Sequence, residues 1–104
     1  MSATLSTHVL DTAVGRPAAG LAVTHHRHDG TAWVHGGDHT TDDDGRVPRF
    51  AVEPGTHRLT FATGAHLGPE AFYPEVTVVF RVTSGHHHVP LLISPFGYST
   101  YRGS

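Results

Sequence analysis

Apolar and polar positions alternate in short runs along this chain, and a glycine, a proline or an Asp-Gly pair closes nearly every run. Such alternation puts successive side chains on opposite faces, as in a strand with one face buried. The clearest run is residues 75–82, where Val76, Val78, Phe80 and Val82 share one face while Thr77, Val79 and Arg81 share the other. Residues 57–62 behave alike, with His57, Leu59 and Phe61 opposed to Arg58, Thr60 and Ala62. Further strands are predicted at residues 4–10, 21–28, 31–35, 47–52, 87–94 and 98–101. The turns between them fall at residues 11–17, Asp29-Gly30, Gly36-Gly37-Asp38, Asp44-Gly45 and Glu53-Pro54-Gly55. Pro48 cannot donate to a ladder, which assigns residues 47–52 to a sheet edge. Only residues 64–72 suggest a helix, and Gly68-Pro69 limits it to a turn or two. About eight short strands and frequent turn signals predict an all-β sandwich or barrel with one short helix. Neither a repeat nor a linker interrupts the pattern, so a single domain over residues 1–104 is expected.

Composition narrows the function classes. A chain of 104 residues can bury one core but leaves much surface uncovered, which favours oligomerisation. The absence of cysteine excludes disulfides, thiolate metal sites and thiol nucleophiles. All seven basic residues are arginine, scattered from Arg16 to Arg102 in a chain of net charge -2. Without a basic patch, no nucleic-acid partner is expected. The run Asp42-Asp43-Asp44 reads as a solvated turn. No apolar stretch approaches the ~20 residues of a membrane span, so no membrane partner is expected. Residues 1–7 lack the charged and apolar regions of a secretory signal, so a cytoplasmic location is expected.

Histidine is the outlier, with eleven copies. It changes charge near neutral pH and binds metals. His25, His26, His28, His35, His39, His57 and His66 stand in polar, turn-rich surroundings and read as surface residues. Three other places put functional side chains in or beside strand-like runs. His8, within Ser6-Thr7-His8-Val9-Leu10, is either a satisfied structural residue or an acid–base group. Arg46, after Asp44-Gly45, is either solvated or holds a planar anion in its guanidinium fork. In His86-His87-His88, His86 and His88 share one strand face and His87 takes the other. That pair can be structural, bind a metal or move protons. A zinc site would need a further ligand, which His8 could supply. No Gly-x-Ser-x-Gly elbow is present. Ser104 closes the chain, and chain ends normally fray.

Together the motifs go further. Ser6-Thr7-His8-Val9-Leu10-Asp11 followed by Gly15-x-Pro17-Ala18, the turn Thr41-x-x-Asp44-Gly45-Arg46, and Phe72-Tyr73-Pro74-Glu75-Val76 resemble segments of the 5-hydroxyisourate hydrolases. His86-x-His88-Val89-Pro90-Leu91-Leu92 and the following residues, through Tyr101-Arg102-Gly103-Ser104, resemble their C-terminal block almost throughout. The resemblance covers residues 6–104, and its last four residues distinguish these enzymes from transthyretin carriers of the same fold. It implies a transthyretin-like (prealbumin-like) β-sandwich. It implies hydrolysis of 5-hydroxyisourate, a small-molecule substrate, to 2-oxo-4-hydroxy-4-carboxy-5-ureidoimidazoline in urate degradation, without a cofactor or metal. His8, Arg46 and His88 correspond to the catalytic residues, and these three with Ser104 to the substrate-binding set. The resemblance also implies a homotetramer with its sites at the dimer–dimer interface, where a chain end can be pinned. Tyr98 and Tyr101 are expected to anchor that end, and Arg102 to hold it through a carboxylate or carbonyl partner. The sequence departs from the family pattern at His87, commonly tyrosine, and in the short, glycine-rich stretch 31–39. Which histidine is the base stays open. Two alternatives stand beside this reading: a transthyretin-like carrier of a small ligand, and a zinc-dependent cyclic amidohydrolase. The latter commonly sets a His-x-His pair on a TIM barrel, which needs around 250 residues.

Overall fold

The alternating runs form two sheets packed face to face in a transthyretin-like sandwich. The structure, a computed structural model, describes residues 2–104; Met1, included in the expected domain, lies outside the described residues. In chain order the elements are β1 (Ala3–Asp11), β2 (Arg16–Pro17), β3 (Ala22–His28), β4 (Trp33–Thr40), β5 (Arg46–Val52), β6 (Gly55–Phe61), α1 (Thr63–Leu67), β7 (Val76–Val82), β8 (Gly85–Ser94) and β9 (Gly97–Thr100). One sheet runs β2-β1-β8-β9, with β5 also paired to β1; the other runs β4-β3-β6-β7. The β1–β8 pair is parallel and the rest are antiparallel.

Burial follows the period of two. Along β1, Ala3, Leu5, Thr7, Val9 and Asp11 are buried, while Thr4, Ser6, His8 and Leu10 lie on the outer face. Leu5, Val9, Leu59, Phe61, Leu91 and Ile93 are almost wholly enclosed between the sheets. Each such side chain contributes roughly 1.5–3 kcal/mol relative to exposure. The core therefore fixes which side chains of β1 and β8 face outward, and the candidate site is built on that outer face.

Pro48 falls where its missing N–H requires. β5 pairs only with β1, and the register slips between Leu5↔Phe50 and Thr7↔Val47, so Pro48 and Arg49 together oppose Ser6 in a bulge. Other elements differ from the sequence expectation. A ninth strand arises because Arg16 and Pro17 return to pair with Asp11 and Leu10, confining the expected turn to the residues between. The helix stops at Leu67, where Gly68 takes φ 90° and ends it. β4 continues through Gly36-Gly37 to Thr40, where a turn was expected. A Cβ on Gly36 would lie 2.3 Å from Nδ1 of His25, so this glycine marks a close approach inside a strand.

His25 and His57, expected at the surface, are 5% and 2% exposed. His57 shares the inward face of β6 with Leu59 and Phe61, and the two rings satisfy one another. Nε2–H of His57 donates to the Glu53 carbonyl at 2.7 Å, leaving Nδ1 to accept from Nε2–H of His25 at 2.8 Å. Burial, with the nearby His57, lowers the His25 pKa from 6.5 to about 4. Between those values the unfolded chain binds a proton that the folded chain does not, so stability is lost as pH falls through this window. The expected loss by pH 5 is about 1–2 kcal/mol after allowance for solvent screening. Urea unfolding at pH 7 and pH 5 measures it, and His25→Leu should flatten the dependence. Equal slopes in the two proteins would remove His25 as the cause.

Candidate active site

Two strand pairings assemble the site. His8 on β1 stands opposite Arg46 on β5, while Ser6 and Thr4 stand opposite His88 and His86 on β8. Paired residues share a face, so all six belong to the outer face of the five-stranded sheet.

The turn before β5 fixes where Arg46 begins. Oδ1 of Asp42 accepts from the backbone N–H groups of Asp44 and Arg46 at 2.9 and 3.0 Å, and Asp42 N–H donates to the Arg46 carbonyl at 2.8 Å. Gly45 has φ 74°, and a Cβ there would lie 2.4 Å from the Val9 carbonyl oxygen. That position admits only glycine without displacement. Buried Thr41 ties the turn to the sandwich, donating to the Ala18 carbonyl at 2.6 Å and accepting from Leu21 N–H at 2.9 Å. The Thr41-x-x-Asp44-Gly45-Arg46 spacing therefore sets the start of β5 opposite His8.

Each candidate histidine is held through one nitrogen. Nε2–H of His8 donates to the Asp44 carbonyl at 2.9 Å; a carbonyl only accepts, so in neutral His8 the lone pair lies on Nδ1. Nδ1 of His88 lies 2.8 Å from Oγ of Ser6, leaving Nε2 as the ring nitrogen available to a molecule beside it. Burial, then the positive charge of Arg46 and the proximity of His8, lower the pKa of His88. Near neutral pH this imidazole is uncharged and able to accept a proton.

The C-terminal segment closes the site. Gly103 N–H donates to the His88 carbonyl at 2.8 Å, and a Cβ on Gly103 would come within 2.6 Å of Cδ2 of His88. The missing side chain lets the backbone lie against the imidazole. That backbone hydrogen bond and glycine contact hold the end within the chain. Of the expected anchors, Tyr98 packs edge-on against Tyr73 with ring centroids 5.2 Å apart, while Arg102 forms no salt bridge among the described residues.

A cleft of roughly 380 Å³ is lined by Ser6, Thr7, Asp42, Arg46, Val47, Pro48, Arg49, His86, His88 and Ser104. It brings together Arg46, His88 and Ser104 of the sequence-derived candidates. His8 lies beside Arg46 on the same face without lining the cleft. Ser6 and Arg49 were not among the sequence-derived candidates, and His86 was named only as the partner of His88 on one strand face; the cleft adds Ser6, His86 and Arg49. The signal for Ser6 and His86 was present: Ser6 precedes His8 by two positions, and His86 precedes His88 by two, so each shares its neighbour's face. Arg49 depends on the Pro48 bulge and had no local signal. His87 faces the interior, 5% exposed, where Nε2 accepts from Thr83 N–H at 3.3 Å.

Among the described residues, no three His, Cys, Asp or Glu side chains form a group able to hold a metal ion. Ser6 lies between His86 and His88, and the Asp44 carbonyl takes Nε2–H of His8.

Residues 5–103 match the HIUase/Transthyretin family. The 5-hydroxyisourate hydrolase of Mesorhizobium japonicum is 46% identical over 113 residues, covering 96% of this chain and 91% of that protein. The mouse 5-hydroxyisourate hydrolase is 44% identical over 114 residues, covering 99% and 97%. Among solved structures, Klebsiella pneumoniae 5-hydroxyisourate hydrolase superposes with a TM-score of 0.86 at 37% identity, covering 98% of this chain and 99% of that one. Sea bream transthyretin in complex with thyroxine gives a TM-score of 0.83 at 26% identity, covering 95% and 93%.

Proposed function

The chain belongs to the HIUase/Transthyretin family, and from that premise we propose that it hydrolyses 5-hydroxyisourate to 2-oxo-4-hydroxy-4-carboxy-5-ureidoimidazoline. The activity resides in one domain over residues 1–104. The observation that carries this reading is the convergence of Arg46, His88 and Ser104 on one cleft, with His8 paired to Arg46. Two arginines, two histidines and Ser104 line the cleft, hydrogen-bonding groups that suit a small planar substrate rich in such groups.

His88, kept neutral, takes a proton from water through Nε2 as the water attacks the ring carbonyl. Arg46 binds the ring oxygens through its planar fork and stabilises the oxyanion that develops. His8 supports Arg46 and the charge that forms beside it. Ser104 adds a hydrogen bond that orients the substrate. Collapse of the tetrahedral intermediate breaks the C–N bond, and the leaving nitrogen regains a proton.

The direct test is to generate 5-hydroxyisourate with urate oxidase and follow its ultraviolet absorbance. Disappearance should accelerate with this protein, and exhaustive chelation should leave the rate unchanged. Absence of acceleration would refute the activity. Loss on chelation with recovery on zinc would favour the metal-dependent alternative.

The cleft opens on the outer face of a sheet, where a second copy would complete its wall. We therefore propose the homotetramer with sites between paired dimers. Sedimentation velocity at micromolar concentration should give a mass of four chains. A monomer with full activity would exclude an interface site.

A further inference from the structure

The candidate base does not stand alone. Oγ of Ser6 lies 2.8 Å from Nδ1 of His88 and 3.0 Å from Nε2 of His86; Nδ1 of His86 lies 2.8 Å from Oγ1 of Thr4. The four groups form a continuous chain along the outer face of β1 and β8. The parallel register creates it by setting Ser6 against His88 and Thr4 against His86. His86, at the outer end, is exposed to solvent, whereas His88 is half-buried in the cleft wall.

A serine hydroxyl has one proton and two flanking nitrogens to satisfy, so the chain has two complete arrangements. In one, Nδ1–H of His88 donates to Ser6, the Ser6 hydroxyl donates to Nε2 of His86, and Nδ1–H of His86 donates to Thr4. Nε2 of His88 is then a bare lone pair, the form a base requires. In the other, every bond reverses, and His88 presents Nε2–H to the cleft, the form an acid requires.

We propose that Ser6 and His86 form a proton relay that sets the tautomer of His88 and carries the proton it abstracts out to solvent. The inference rests on the hydrolase reading and assigns two further residues to it. As Nε2 of His88 takes the proton of the attacking water, Nδ1 passes its own proton to Ser6. Ser6 passes its hydroxyl proton to Nε2 of His86. His86 is then doubly protonated and releases Nδ1–H to bulk water. When Nε2–H of His88 then protonates the leaving nitrogen, the chain runs in reverse: Ser6 returns a proton to Nδ1, His86 passes Nε2–H to Ser6 and regains a proton at Nδ1 from solvent, so the imidazole ends neutral with Nε2 bare. The net proton of lactam opening leaves when the product carboxylic acid ionises; the relay instead moves a proton out in the base step and back in the acid step, so His88 stays uncharged through both. Ser6 and His86 are positioning and relay groups; only His88 meets the substrate. The charged and titratable groups facing the chain are His8 from β1, Arg46 and Arg49 from β5, Asp42 from the preceding turn, and Ser104.

The experiment has two arms. In the first, Ser6→Ala and His86→Ala are assayed on 5-hydroxyisourate over a range of buffer concentrations. Each should lower kcat by about 10- to 100-fold with little change in KM, the usual scale for a group that orients a catalytic histidine. His86→Ala should recover as imidazole buffer is raised, because a mobile base replaces the lost exit; the unsubstituted protein should be insensitive to buffer. Near-native kcat at low buffer, or a loss that no buffer restores, would overturn the relay. In the second arm, long-range proton–nitrogen correlation spectra report the tautomer of His88 without any substrate. Ser6→Ala should change the His88 tautomer ratio and uncouple its titration from that of His86. Unchanged spectra would overturn the coupling. An unsubstituted protein that is inactive on 5-hydroxyisourate but passes the spectroscopic arm would keep the coupled pair and reject the hydrolase reading.

Discussion

His88→Ala is expected to lower the catalysed rate by about two to four orders of magnitude, the usual worth of a positioned acid or base. The expectation follows from placement: His88 lines the cleft, Ser6 occupies its Nδ1, and burial with Arg46 and His8 nearby lowers its pKa. A base must be uncharged to act. A downward shift therefore carries the acid limb of the rate profile below the ordinary histidine range, and Arg46→Gln should move that limb up. His8→Ala is expected to fall in the same range as His88→Ala, because His8 faces Arg46 across the β1–β5 pair. Neither side chain belongs to the core between the sheets, so folding and assembly should survive both substitutions. Steady-state kinetics with sedimentation as a control decides each role. A variant of native assembly and near-native turnover would reduce that histidine to a structural residue.

Gly103→Ala should be nearly as damaging, although it adds only a methyl group. The new Cβ would lie 2.6 Å from Cδ2 of His88 and 3.1 Å from Cγ. Those are ring atoms whose position is also set by Ser6, so either the imidazole or the C-terminal segment must move. If the segment moves, the Gly103–His88 backbone bond breaks and Ser104 leaves the cleft; if the ring moves, Nε2 is misplaced. A displacement near 1 Å at a reacting centre costs on the order of 100-fold in rate. Stability should change little, since Tyr101, Arg102 and Ser104 are all exposed. Thermal unfolding and kcat/KM measured on the same preparation separate the two effects. Full activity in Gly103→Ala would place the terminal segment outside the site, leaving His8, Arg46 and His88 as the candidates.

The faces are legible in the chain alone: alternation puts His86 and His88 on one side of β8 and His87 on the other, and Pro48 assigns its strand to an edge. Strand period and turn residues, local properties of the chain, narrowed the fold to an all-β sandwich or barrel, and the resemblance of its motifs to a known family chose the sandwich. What each face meets depends on how the strands pair across the sheet. Ser6 bonds His88 across 82 residues of sequence, through a parallel pairing that no local pattern encodes. His25 and His57 looked like surface residues because their neighbours are polar, yet each is buried by satisfying the other. Gly36 reads as a turn and Gly103 as a loose end until the imidazoles packed against them are in place. The physical reason is register. A strand's faces follow from its own backbone, but its partner and alignment follow from the burial of a whole sheet, and a slip of one residue would turn the site's side chains into the core.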